Sequence, residues 1–162
     1  MRAGSAAAGF TYLEVLMAAA LLATTMTMIG YALAHSRHVQ SEQELLQQGR
    51  YLLHDGMAWL RLLARYDAGE PDSWGFEAGE STVADVDDVD DLDGLIELGP
   101  TDRAGDAAGK DWQRAWTVRP ADLATPTIDA AKEATPLMRV TVAVTHLGRE
   151  ITSDTVLLSR TP

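Results

Sequence analysis

The 162 residues carry 24 acidic and 13 basic side chains, a formal charge of −11, and no cysteine. That balance excludes nucleic acid as a partner and leaves no polybasic patch for anionic lipid, because both need clustered Lys and Arg. The missing cysteines exclude a disulfide framework, a thiolate metal site and a lipidated lipoprotein terminus. The length suits one modest domain with an appended element. The acidity is regional: 15 of the acidic residues lie between Asp67 and Asp111, against two basic ones, Arg103 and Lys110.

The first nine residues, MRAGSAAAG, are small and carry Arg2. An apolar run follows, and from Val15 to Ala34 there is no charged residue over 20 positions. About 20 helical residues cross a bilayer core. The discordant residue is Glu14, a carboxylate near the start of the run, where ionisable groups are costly and usually functional or paired. A secretory signal peptide cut after Ala32-Leu33-Ala34 would leave His35 as the terminus. A plain single-pass anchor also fits the run. Both leave Glu14 unexplained.

Gly9-Phe10-Thr11-Tyr12-Leu13-Glu14-Val15-Leu16 resembles the processing motif of type IV pilins and type II secretion pseudopilins. In that family a short basic leader ends in Gly, a Phe or Met follows, and a Glu stands four residues further on, before a hydrophobic helix. The resemblance implies a leader over 1–9, cleaved between Gly9 and Phe10 by an inner-membrane prepilin peptidase that also N-methylates Phe10. It implies that Glu14 neutralises a terminal amine during assembly. Tyr12 stands where an aliphatic residue is commoner. The charge logic agrees: Glu14 lies one helical turn from Phe10. A buried carboxylate is tolerable beside a cation and costly alone. Pairing Glu14 of one subunit with the Phe10 amine of another would fix the axial stagger.

Residues 10–34 are therefore expected to form the membrane or filament-core half of a long helix. Its amphipathic half is expected over 35–66. Val39, Leu46, Leu53, Met57, Leu60 and Ala64 recur at helical spacing, with Leu45, Leu52, Trp59 and Leu63 widening the stripe. Gly49 and Gly56 lower helix propensity by about 1 kcal/mol each without forbidding the helix. One helix from about Phe10 to Tyr66 is expected, with a bend near Gly30 or Gly49. His35, His38 and His54 read as solvated, and His146 as exposed near a turn.

The segment 67–111 is read as acidic loops with short ordered pieces. Asp87, Asp88, Asp90, Asp91 and Asp93 could supply oxygen ligands to calcium. They do not fit the EF-hand spacing, since Val89 and Pro100 would occupy its first and last positions. A solvated acidic loop is the alternative, and no other cofactor is indicated. Over 112–162 a small antiparallel sheet is expected. Leu95–Leu98, Trp112–Arg119, Leu137–His146 and Glu150–Ser159 are its candidate strands, with Leu147-Gly148-Arg149 as a turn and 120–136 as a connection. Trp116 and Val118 should share one face, as should Met138, Val140, Val142 and Val144. The expected class is α+β, a long helix packed on three or four strands, which is also the pilin-like order.

No nucleophile has a supporting base, and no G-x-S-x-G, phosphate loop or His-Glu metal motif occurs, so no catalytic residue is assigned. The resemblance implies a structural subunit, a minor pilin or pseudopilin, whose partners are the peptidase, other pilins and the bacterial inner membrane. It places the C-terminal domain in the periplasm. The irregular acidic insert favours a minor over a major subunit. The alternative is a membrane-anchored periplasmic binding module, with calcium as its candidate ligand, that enters no filament.

Overall fold

The computed structural model describes residues 11–63, 75, 82–101, 105–126 and 136–159. The chain divides into two compact units, Met1–Glu44 and Leu45–Pro162. A single helix, α1 (Tyr12–Leu60), runs through the first and into the second. The other regular elements are a 3₁₀ turn at Asp90–Leu92 and strands β1 (Ile96–Leu98), β2 (Trp112–Pro120), β3 (Leu137–His146) and β4 (Arg149–Ser159). The class is α+β.

In the first unit α1 begins with a reciprocal cap. The Thr11 N–H donates to Glu14 Oε2 at 2.9 Å, and the Glu14 N–H donates to Thr11 Oγ1 at 3.3 Å. This is a Thr-x-x-Glu capping box, satisfying two of the amide donors that every helix start leaves open. Further along, the hydroxyls of Thr24, Thr25 and Thr27 donate to carbonyls three or four residues back, at 2.8–2.9 Å. The helix continues through Gly30 and Gly49 and stops at Leu60, short of the expected Tyr66. A turn closed by the Leu62 N–H on the Trp59 carbonyl, 2.8 Å, follows it. Nothing in Arg61-Leu62-Leu63 marks that stop in the sequence, and residues 64–66 lie outside the described ones.

The second unit is an antiparallel sheet in the order β1-β2-β3-β4, with the last part of α1 packed on one face. Strand alternation decides what lies inside. Trp112, Arg114, Trp116 and Val118 of β2 are buried, as are Met138, Val140, Val142 and Val144 of β3. Trp116 pairs with Val142 and Val118 with Val140 across the two strands. Trp59 of α1 meets Trp116 edge-on, with centroids 5.6 Å apart. Leu60, Val89 and Leu92 complete that cluster, while Leu52, Trp112 and Val144 form a second one towards the hairpin end. Fully burying side chains of this size contributes about 1.5–3 kcal/mol each.

The seam of α1 against the sheet is narrower and differently centred than the Leu stripe suggested. Its buried residues are Gly49, Leu52, Gly56 and Leu60, whereas Val39 and Leu46 are exposed. The two glycines sit where the backbone comes closest to the sheet. A Cβ on Gly49 would lie 2.7 Å from Ile151 Cγ2, and one on Gly56 would lie 3.0 Å from Arg114 Cδ.

β3 and β4 are joined through Leu147-Gly148, both at positive φ (50° and 77°). Positive φ at both central residues is the hairpin turn whose twist matches that of the strands. Leu147 is locally strained there, and its N–H donates to the Asp111 carbonyl at 2.9 Å. A register shift between Val144 and Thr145 makes room for Ile151 on the opposite strand.

Candidate functional site

The groups singled out in the sequence fall in three places. Gly9 and Phe10 lie outside the described residues. Glu14 sits in the first turn of α1, its Oε2 accepting from both the N–H and the Oγ1 of Thr11 (2.9 and 3.1 Å). From there to Ala34 every residue is exposed, including Leu21 at 65% and Met28 at 71%. A helix in water buries an apolar stripe, and this one presents apolar side chains all round. It is long and apolar enough to cross a membrane. The threonine hydroxyls do not contradict that, since their donors are satisfied by the helix's own carbonyls.

The five aspartates expected as calcium ligands do not converge. Val89 and Leu92 are wholly buried, and as neighbours three residues apart they draw the 3₁₀ turn into the core. Asp88, Asp90 and Asp91 are carried in with them, at 4%, 4% and 1% exposure, so this stretch is not the solvated loop expected as the alternative. Asp88 Oδ1 accepts from the Asp90 and Asp91 N–H groups at 2.9 and 3.4 Å. Asp91 Oδ2 accepts from those of Asp87 and Asp88 at 3.2 and 3.4 Å. Asp93 turns the other way: its Oδ1 accepts from the Val118 N–H at 3.0 Å, and its Oδ2 pairs with Arg119. It thereby extends the ladder of β2 past the end of β1. Among the described residues no group of three or more His, Asp or Glu side chains is arranged to hold a metal. Burial, then the Asp90 carboxylate, pushes Asp88 up to about 6.

Two constellations were missed in the sequence. One is the capping box, legible as Thr-x-x-Glu before an apolar run. The other is a buried ionic clasp. Arg114 Nη2 donates to Glu97 Oε2 at 2.6 Å, and its Nε lies 3.1 and 3.2 Å from the two Glu97 oxygens. Nη1 donates to the Leu52 carbonyl at 3.1 Å and to Asp55 Oδ2 at 3.3 Å. Trp116 Nε1 donates to Glu97 Oε1 at 2.8 Å. One guanidinium thus ties α1, β1 and β2 together, with almost no solvent contact. The signal was Trp112-Gln113-Arg114-Ala115-Trp116: strand alternation puts Arg114 on the face of the two tryptophans. His146 is also displaced from expectation, half-buried with its ring 4.6 Å from that of Trp112. His35, His38 and His54 are exposed, as expected.

The chain matches no family model, no curated protein and no solved structure.

Proposed function

We propose that this chain is a prepilin-type structural subunit, a minor pilin or pseudopilin, anchored by the first half of α1 and assembled through it. The observation that carries the reading is Glu14: one carboxylate, one turn into a helix that is otherwise uncharged to Ala34 and exposes apolar side chains on every side. Cleavage between Gly9 and Phe10 would create an amine one turn from that carboxylate. An α+β unit with a four-stranded antiparallel sheet, helix first and strands after, is the layout that a pilin-like subunit requires. In this reading the first half of α1 is a single-pass span of a bacterial inner membrane before assembly, and the sheet unit faces the periplasm. Prepilin peptidase and neighbouring pilins are its partners, and its role is structural.

Capping is the competing role for Glu14, and substitutions separate the two. Gln serves a capping box as well as Glu does, because it too can accept from the cap residue's N–H. Glu14→Gln therefore keeps the cap and removes the charge, while Thr11→Ala weakens the cap and keeps the charge. Incorporation into filaments should fall for Glu14→Gln as far as for Glu14→Ala, with insertion and cleavage retained, and should survive Thr11→Ala. Normal assembly of Glu14→Gln would reduce Glu14 to a capping residue.

A further inference from the structure

The helix-facing side of the sheet is covered over β2 and β3 but not over β4, which contributes no buried residue. Gly49 of α1 meets Ile151 and Thr152 at the hairpin end of β4. Beyond that contact helix and strand part, leaving an open groove of about 600 Å³. Its floor is apolar: Leu53, Met57 and Leu60 from α1, Val156 and Leu158 from β4. Its rim on the helix side carries two arginines, Arg50 and Arg61, both exposed and neither in an ion pair among the described residues. His54 stands between them on the same rim. The opposing rim has one carboxylate, Asp154, whose Oδ1 already accepts from the Thr155 N–H at 2.8 Å. In a chain of net charge −11, this groove has a surplus of positive charge.

The strand beside it is also unusual. β4 has 11 residues and pairs, among the described residues, only with β3. Proteins blunt such edges with charges or bulges. Here Arg149, Glu150, Asp154 and the register shift do so for the hairpin half. Thr155-Val156-Leu157-Leu158 has no charge, and it is the part that borders the groove.

We infer that this groove docks an extended acidic segment of a partner protein, added as a fifth strand along β4. Strand addition takes its affinity from main-chain hydrogen bonds and its specificity from alternate side chains, here directed onto the apolar floor. The two arginines set the partner's charge spacing. Arg50 lies on α1 and Arg61 in the turn directly after its last residue, Leu60; 11 positions at roughly 1.5 Å each put them on the order of 16 Å apart. An extended segment covers that span in roughly four to six residues at about 3.3 Å each, allowing for the reach of the arginines. The expected segment has an Asp or Glu at each end and alternating apolar residues between. The inference goes beyond the subunit reading and does not depend on cleavage at Gly9.

The test is a selection of random peptides displayed on phage against the full chain in nanodiscs of uncharged lipid, followed by hydrogen exchange with each selected peptide. The expected peptides carry two acidic residues at that spacing and slow exchange of the β4 amides around Thr155–Leu158. Their binding should weaken at least about tenfold on Arg50→Glu/Arg61→Glu, as loss of two charge pairs implies. Peptides with Lys in place of the acids should bind that double variant instead. Because both arginines are exposed and stand outside the ion pairs of the described residues, the variant should fold, which its circular dichroism and melting temperature would check. The inference is overturned if no selected peptide depends on the two arginines, or if bound peptides leave β4 exchange unchanged. It is overturned equally if β4 is protected by self-association of the chain, or by decanoate and not by any peptide.

Discussion

Arg114 holds the sheet unit together in a way that its composition would not suggest. A buried guanidinium is tolerable only with its charge matched and its donors used, and Glu97, Asp55 and the Leu52 carbonyl do both. Removing one member of such a group strands the others, typically at about 3–5 kcal/mol, whereas removing the guanidinium together with Glu97, its closer carboxylate, is cheaper and leaves only Asp55 without its arginine. Arg114→Met should therefore lower unfolding stability by an amount in that range. Arg114→Met/Glu97→Gln should recover much of it, since the new amide oxygen can still accept from Trp116 Nε1. Urea unfolding of the four chains of that cycle would decide, and strict additivity would show that the two side chains do not act as a unit. Asp88 is the second residue with a testable consequence. Its carboxyl rises from an ordinary 3.8 to about 6 on folding, first through burial and then through Asp90. A raised folded value means that the folded state takes up this proton first. Its contribution is favourable below about pH 4 and is lost as the pH rises through 6. Asp88→Asn should flatten the pH dependence of the urea midpoint between pH 4 and 7, and should raise the midpoint at pH 8. An unchanged slope would mean that Asp88 stays ionised in the folded chain.

At the scale of elements, the sheet was legible because its strands alternate cleanly. Met138, Val140, Val142 and Val144 all point inwards, and β3 has the expected bounds. The α1 seam was less legible, because apolar periodicity marks large side chains, and here the line of closest approach runs through Gly49 and Gly56. By propensity alone both glycines weaken the helix. Gly49→Ala tests the packing explanation directly. Ala gains about 1 kcal/mol in helix propensity, yet its Cβ would lie 2.7 Å from Ile151 Cγ2. The substitution should therefore be destabilising, by about 1–3 kcal/mol as for other overpacked sites. In an Ile151→Ala background the same change should become neutral or stabilising, which melting temperatures of the pair would reveal. The acidic segment was misjudged for a related reason. Charge density hid Val89 and Leu92, two apolar side chains that suffice to bury a turn when the adjoining carboxylates can bind backbone amides. β1 was legible as a strand, expected over Leu95–Leu98, but not in its facing: Ile96 and Leu98 face outwards and Glu97 faces in, reversing the usual sense of alternation.

For the whole molecule, the proposed reading joins the exposed apolar half of α1, its capping box and the four-stranded sheet unit in a subunit that is anchored first and assembled afterwards. The membrane-anchored binding module shares the apolar helix and the sheet but gives no purpose to Gly9, Phe10 and Glu14 as a set. The three readings of the amino-terminal segment differ in one observable, the first residue of the mature chain. Mass spectrometry of the N-terminal peptide, from chain produced with and without a prepilin peptidase, tests the account most directly. It predicts a peptidase-dependent terminus at Phe10, carrying an N-methyl group. A terminus that stays at Met1 with the peptidase present, or one at His35, would contradict it.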